Sequence, residues 1–127
     1  MAAWFHDTGY IMGNANHEEN SISVLRDFLN QIPNHGLNIE IIASIIRATK
    51  LENVPQTHLE MCLRDADYYH FTKENYCETN ILLKKEIEQT CKVEITDEKW
   101  CFENFEMLSK KHLFYTNYAK IHWQPKK

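Results

Sequence analysis

The chain has 127 residues, of which 43% are hydrophobic and 12% aromatic, a size and composition that fit one ordinary globular domain and exclude a disordered or fibrous protein. The formal net charge of -4 excludes a protein that binds a nucleic-acid backbone through a concentrated basic face. A small phosphorylated substrate is not excluded, because a bound metal ion supplies local positive charge.

The cysteine spacing and the hydropathy indicate the cellular compartment of the protein. Cys62, Cys77, Cys91 and Cys101 form no CxxC pair, and their spacing fits neither a zinc knuckle nor a disulfide scaffold. We therefore expect reduced thiols in a cytoplasmic protein. No run reaches the roughly 18 apolar residues of a membrane span, and no signal peptide is recognisable. Association into a homo-oligomer stays open.

The first part of the chain reads as helices joined by a short turn. Residues 1–6 read as the last turns of a buried helix, and we expect the chain to be N-terminally truncated there. A turn rich in Gly and Asn follows over residues 9–16. A second helix is predicted from about Asn16, with acidic residues in its first turn and an apolar face at helical spacing up to Pro33.

An isoleucine-rich helix and an acidic helix are predicted next. Asn38 is expected to cap the first of them, which ends near Lys50. The isoleucines would also suit a strand, but their i, i+3, i+7 spacing and the absence of a strand partner favour a helix. Pro55 is predicted to open the following helix, which ends at the group Asp65-Ala66-Asp67.

Two longer helices are predicted in the second half of the chain, beginning at residues 72–75 and 96–99. The aromatic segment 113–123 is expected to form a short turn or helix folded back on the bundle, and residues 125–127 read as the start of a linker. The fold expected for residues 1–127 is a single all-α domain, a bundle of about five helices.

The dipeptide His6-Asp7 lies where an apolar segment stops and a turn begins. Its two side chains offer one nitrogen and one oxygen ligand to a hard or borderline divalent metal. Taken alone, the pair is more typical of a capping Asp beside a core histidine. Two further groups, His17-Glu18-Glu19 and Asp65-Ala66-Asp67, indicate a metal centre assembled between helices.

The ordered set of these groups resembles the HD-domain metal-dependent phosphohydrolase superfamily, in particular its small stand-alone branch. The tail His112–Thr116 also resembles the HD domain that precedes a membrane segment in bacterial Pycsar-type effectors. The resemblance runs over essentially the whole chain. The segments that carry it are Ala3–Tyr10, His17–Ser21, Ala48–Lys50 and Asp65–Asp67.

The resemblance implies a bound divalent metal ion, which is Mn, Mg, Fe, Ni or Zn. By resemblance His6, Asp7 and Asp67 are ligands, whereas the family's upstream histidine ligand has no counterpart in this chain. Asp65 and Asp67 are two residues apart and point in different directions on a helix. We therefore expect Asp65 to bond backbone amides or to support a ligand.

The resemblance further implies that the chain hydrolyses a phosphate ester, either a nucleotide or a related small molecule. His17 and Glu18 are the candidate catalytic residues, which would position a water, bind a phosphate or exchange protons, although Glu18 equally suits a helix N-terminus. Lys50, Ser21 and Lys84 are the candidate substrate-binding residues, and Lys50 would neutralise charge on the phosphoryl group. Both lysines equally fit solvated helix positions.

A second hypothesis comes from the effector branch. There, the HD-like domain would be a non-catalytic module that senses a nucleotide or couples domains in a membrane-associated protein. The ending at residues 125–127 is compatible with a linker toward a membrane segment. The two hypotheses differ in turnover, since only the hydrolase converts its ligand.

Overall fold

The computed structural model describes residues 1–13 and 15–127, and this part of the chain is all-helical, without a strand. It contains seven α-helices rather than about five, because two short helices form near the ends of the chain. The α-helices are α1 (Ala2–Phe5), α2 (His17–Asn30), α3 (Ile39–Arg47), α4 (His58–Asp67), α5 (Tyr76–Cys91), α6 (Asp97–Glu106) and α7 (Asn117–His122).

In the described part of the chain, four short 3-10 or π-helical turns lie between or after these helices. They are the 3-10 turns Thr8–Met12, Tyr68–Thr72 and Gln124–Lys126 and the π-helical turn Met107–Lys111. The helix α7 forms because Thr116 caps it: its hydroxyl accepts a hydrogen bond from the amide of Ala119 at 3.2 Å. The described residues divide into two compact units, 1–67 and 68–127.

The core of the first unit lies between α2 and α3. It consists of the inward-facing stripes of these helices, and burial of each large aliphatic side chain stabilises the unit by about 1.5–3 kcal/mol. Ala2, Phe5 and Ile39 pack against its edge. The buried cluster is Ile22, Leu25, Leu29, Ile42, Ala43 and Ile46.

The N-terminal helix α1 differs from the sequence expectation. Residues 1–6 were expected to be the end of a buried helix, but α1 has only four residues and none of them is buried. Trp4 is 83% exposed, since only Ala2 and Phe5 face the core. A helix with one apolar side toward a neighbour leaves its opposite side in solvent.

The helix α4 begins at His58 rather than at Pro55 because a capping box starts it there. The Thr57 hydroxyl accepts a hydrogen bond from the Glu60 amide at 3.3 Å, and the Glu60 carboxylate accepts one from the Thr57 amide at 3.0 Å. The Gln56 amide also donates to Glu60, at 2.6 Å. These contacts satisfy the amides that a helix N-terminus leaves without partners.

A buried arginine on α4 closes the C-terminal end of α3. Arg64 is 1% exposed, and its guanidinium donates to the carbonyl oxygens of Ala48 and Leu51 at 3.0 Å each and of Thr49 at 2.5 Å. Ala48 is the C-cap of α3, and Thr49 and Leu51 follow it, so carbonyl oxygens at and just beyond the helix end compensate the buried cation. This contact fixes α4, and with it the acidic residues at its end, against α3.

In the second unit, α5 and α6 carry no fully buried residue. Buried side chains come instead from the turn Tyr68–Thr72 and from the segment that follows the π-helical turn, namely Phe71, His112, Phe114 and Ala119. The rings of His112 and Phe114 meet edge-to-face, with centroids 4.7 Å apart. An aromatic cluster therefore forms the centre of this unit.

Two expectations about the whole chain concern membranes and thiols. No helix within residues 1–13 and 15–127 is long and apolar enough to cross a membrane. All four cysteines are free and exposed.

Candidate metal centre

The imidazole of His6 is held by the backbone at the end of α1. His6 is the C-cap residue of α1, and its Nδ1 atom lies 3.0 Å from the carbonyl oxygen of Ala3, to which an Nδ1–H donates. This hydrogen bond leaves the Nε2 atom on the other side of the ring for a ligand. Backbone anchoring of one ring nitrogen is the usual way in which a protein orients a metal-binding histidine.

Two carboxylates face the Nε2 atom of His6. The Oδ2 atom of Asp7 lies 3.2 Å from it, and the Oδ1 atom of Asp67, at the end of α4, lies 3.4 Å from it. One ligand atom from each of the three residues lies within 4.8 Å of the others. His6 and Asp67 are partly buried, whereas the Asp7 side chain is half exposed. The three residues predicted as ligands therefore converge within the first unit.

Electrostatics favours a protonated His6 between these carboxylates. The pKa of His6 is raised from 6.5 to about 10, chiefly by its hydrogen bond with Asp67, next by that with Asp7, and against the opposing effect of burial. The pKa of Asp7 is lowered, chiefly by the same hydrogen bond with His6. The cluster therefore holds a cation between two anions, and a divalent metal ion would replace the proton on Nε2.

The donor set fits a divalent metal ion. Metal bonds of about 2.1 Å place neighbouring ligand atoms roughly 3.0 Å apart at octahedral angles and roughly 3.4 Å apart at tetrahedral angles. The separations of 3.2 and 3.4 Å from His6 to Asp7 and Asp67 fall in this range. One nitrogen and two carboxylate oxygens suit Mn, Mg, Fe, Ni or Zn without choosing among them. Three protein ligands also leave coordination positions for substrate and water.

The placement of Asp67 has a local energetic cost. Asp65 and Asp67 lie in the last turn of α4, where the helix dipole disfavours negative charge. Asp65 is 1% exposed and does not belong to the cluster, whereas Asp67 does.

Ser21 of α2 holds the His6-Asp7 segment in place. Its hydroxyl donates to the carbonyl oxygen of His6 at 2.7 Å and accepts from the amide of Gly9 at 2.8 Å. Ser21 is fully buried. Its hydroxyl is thus engaged by the backbone on both sides of Asp7, and the structure gives it a positioning contact instead of an exposed surface for substrate.

Gly9 allows the segment to approach α2 this closely. A Cβ atom at Gly9 would collide with the carbonyl oxygen of His17 and would lie 2.5 Å from the amide nitrogen of Ser21. Gly9 is buried in the turn Thr8–Met12. Only a residue without a side chain fits there, so Gly9 and Ser21 together set the position of His6 and Asp7.

His17 and Glu18 lie beside the cluster, as expected from the sequence. The Nε2 atom of His17 is 3.5 Å from the Oε1 atom of Glu18 and 4.0 Å from the Oδ1 atom of Asp7. The ring of Tyr10 stacks on that of His17, with centroids 4.0 Å apart and an interplanar angle of 15°. Each carboxylate oxygen of Asp7 therefore faces one imidazole. His6, Asp7 and His17 form a continuous row of titratable side chains between Asp67 and the buried Glu18.

The two predicted substrate-binding lysines have different surroundings. Lys50 follows α3 in the first unit, is half-buried, and helps Arg47 to lower the pKa of Glu19. Lys84 lies on α5 in the second unit, where its ammonium is 2.6 Å from Asp97 and 3.8 Å from Glu88. Lys50 is thus a cation of the same unit as the cluster, and Lys84 is engaged in an ion pair of the other unit.

Sequence reasoning missed Arg64 as a contributor to this site and missed the structural roles of Gly9 and Ser21. Arg64, which fixes the end of α4, carries no motif that distinguishes it from a surface arginine. The steric role of Gly9 and the bridging role of Ser21 arise from tertiary contacts. Only the Gly-containing turn after His6-Asp7 signalled that the backbone is special there.

Comparison of the chain with protein-family models, with curated proteins and with solved structures finds no match.

Proposed function

We propose that this chain is a divalent-metal-dependent phosphohydrolase that acts on a nucleotide or a related small phosphate ester. The observation that carries the proposal is the convergence of His6, Asp7 and Asp67, whose ligand atoms lie within 4.8 Å of one another. The order of these residues along the chain is the one that resembles the HD-domain superfamily. Geometry and resemblance thus select the same three side chains.

Metal binding and proton transfer would be carried out by different side chains of the site. His6, Asp7 and Asp67 would hold the metal ion, which supplies Lewis-acid stabilisation of a phosphoryl group and lowers the pKa of an attacking water. His17 and Glu18 would accept the proton of the attacking water. The Nε2 atom of His17 lies 3.5 Å from the Oε1 atom of Glu18 and 4.0 Å from the Oδ1 atom of Asp7, so both groups are beside the ligands.

The surroundings support this division. Stacking of Tyr10 on His17 restricts the orientation of the imidazole, and the burial of Glu18 keeps its carboxylate beside it. Lys50 would neutralise negative charge on the substrate. Ser21 would act through the backbone of His6, and the proposal does not depend on Lys84 because its ammonium pairs with Asp97.

Hydrolysis in the presence of Mn²⁺ tests the proposal, with bis(p-nitrophenyl) phosphate and a panel of nucleotides as substrates. The substitution Asp67→Asn keeps the size of the side chain and removes its charge, so it is expected to abolish turnover. Asp27→Asn, at an exposed position on α2, is the matched control and is expected to leave turnover unchanged. Turnover that persists at the wild-type rate in Asp67→Asn would refute the mechanism.

Glu18→Gln separates proton transfer from metal binding. It is expected to slow turnover by about 10²–10⁴-fold and to leave the affinity for Mn²⁺ nearly unchanged. The alternative, a module that senses a nucleotide or couples domains, predicts nucleotide binding without product in every variant.

A further inference from the structure

The second unit contains a cavity of about 500 Å³ that the proposed hydrolase site does not use. Residues of α5, α6 and the turn Tyr68–Thr72 line it. This volume lies within the range of cavities that hold small molecules in proteins, roughly 300–1,000 Å³. The cavity is therefore large enough for a ligand with one or two rings.

The walls are mainly aromatic and aliphatic. Phe71, Tyr76 and Trp100 contribute rings, and Leu83 and Met107 contribute aliphatic surface. The rings of Phe71 and Tyr76 meet edge-to-face at a centroid distance of 5.5 Å. Such walls favour an apolar or aromatic ligand, because they offer dispersion contacts and ring edges but few hydrogen bonds.

Four polar side chains of the cavity bind one another. The indole N–H of Trp100 donates to Asn80 Oδ1 at 2.6 Å. The amide of Asn80 donates to Tyr76 at 3.0 Å and to Asn104 at 2.6 Å, and the hydroxyl of Tyr76 donates to Asn104 at 2.8 Å. This network holds α5 against α6 and keeps the cavity preformed. A ligand rich in polar groups would lose its hydration there without finding equivalent partners.

Among the residues that line the cavity, Glu103 is the acidic one. Its carboxylate is half exposed and lies 3.8 Å from the ammonium of Lys99, so it sits at the solvent side. The ion pair leaves little net charge at this rim, and a charged ligand of either sign would lose its hydration against the mainly apolar walls.

We propose that this cavity is a binding site for a small, uncharged, planar aromatic molecule. The ring packs among Tyr76, Trp100 and Leu83, and the side-chain network of Asn80 and Asn104 fixes the position of α5 relative to α6. This inference does not depend on the proposed hydrolase activity, since it uses residues of the second unit alone.

Titration of the full chain with indole tests the proposal by NMR, with indole-3-carboxylate as the anionic counterpart. Indole is expected to shift the signals of the Trp100 indole N–H and of the Asn80 side-chain amide in a saturable manner, and indole-3-carboxylate is expected to bind more weakly. Absence of any shift up to the solubility of indole would overturn the proposal, as would equal binding of the anion.

Variants on α5 locate the site. Leu83→Trp fills the cavity and is expected to abolish the shifts, while Leu82→Trp, at the neighbouring exposed position, is expected to preserve them. Circular dichroism checks that both variants remain folded, and Met107→Trp fills the same cavity if Leu83→Trp does not fold. Shifts that persist in a folded, cavity-filled variant would show association with the surface and would overturn the proposal.

Discussion

The Nε2 atom of His6 lies 3.4 Å from the Oδ1 atom of Asp67, which joins the end of α1 to the end of α4. Hydrophobic packing does not require this contact, because both groups are polar and only partly buried. The acidic end of α4 is unfavourable for the helix dipole, and a cation beside Asp67 stabilises it. In the metal-free chain a protonated His6 provides that cation, and in the proposed enzyme a metal ion does.

The pH dependence of stability follows from His6. Its pKa rises from 6.5 in the unfolded chain to about 10 in the folded one. The folded state therefore binds this proton more tightly, and the resulting stabilisation is fully present below pH 6.5, declines above it and is lost as the pH rises through about 10. The pKa of Asp7 is lowered, so its contribution is instead lost as the pH falls below its ordinary value of 3.8.

Urea unfolding of the metal-free chain at about pH 6 and about pH 10 checks this prediction. His6→Gln is expected to lower the free energy of unfolding at the lower pH and to lose much of that effect at the higher pH. His58→Gln, an exposed position on α4, serves as the control. A destabilisation by His6→Gln that is equal at both pH values would contradict the assigned ion pairs.

Ser21→Ala is expected to destabilise the first unit and to weaken metal binding. The hydroxyl joins the carbonyl of His6 to the amide of Gly9, so its removal leaves buried polar groups without this partner, at a cost of about 1–3 kcal/mol. Ser23→Ala, at an exposed position on α2, should change the free energy of unfolding by less than about 0.5 kcal/mol. Thermal unfolding measures both, and equal effects would argue against the bridging role of Ser21.

Gly9→Ala tests whether the close approach of the turn to α2 positions the cluster. The added Cβ collides with the backbone of His17, and we expect a destabilisation of about 1–3 kcal/mol together with weaker metal binding. At Gly36 a Cβ meets no atom within 4 Å, but φ is +66°. Gly36→Ala should therefore cost about 1–2 kcal/mol through backbone strain alone and leave metal affinity unchanged. Similar metal affinities in the two variants would contradict the account.

Arg64→Met is expected to cost about 2–5 kcal/mol of unfolding free energy, because the guanidinium that closes the C-terminal end of α3 is buried and bound to three carbonyl oxygens. Arg26→Met removes an exposed arginine that pairs with Glu40 at 2.6 Å, and it should cost less than about 1 kcal/mol. Chemical denaturation of the two variants provides the comparison. A small effect of Arg64→Met would show that the end of α4 is fixed by packing alone.

The sequence was sufficient for features that depend on periodicity and local capping. The apolar spacing of α2 and α3 predicted helices whose inward side chains, such as Leu25 and Ile46, are buried. Asn38 caps α3 as expected, accepting a hydrogen bond from the Ile41 amide at 3.2 Å. The resemblance carried by the acidic and imidazole groups also pointed to the three side chains that the fold brings together.

Features that depend on tertiary contacts were not predictable from the sequence. The burial of Arg64 requires the end of α3 as its partner, and the hydroxyl of Ser21 is engaged only because Gly9 lets the turn approach. The start of α4 was misplaced because Pro55 is a strong local signal, whereas the capping box of Thr57 and Glu60 decides where the helix begins.

Calorimetric titration of the chain with Mn²⁺ tests the central claim most directly, since it requires no knowledge of the substrate. The account predicts saturable binding to wild type and to Asp27→Asn, and loss of that binding in Asp67→Asn when all three proteins are equally folded. Equal affinity for Mn²⁺ in Asp67→Asn and wild type would show that His6, Asp7 and Asp67 do not form a metal centre.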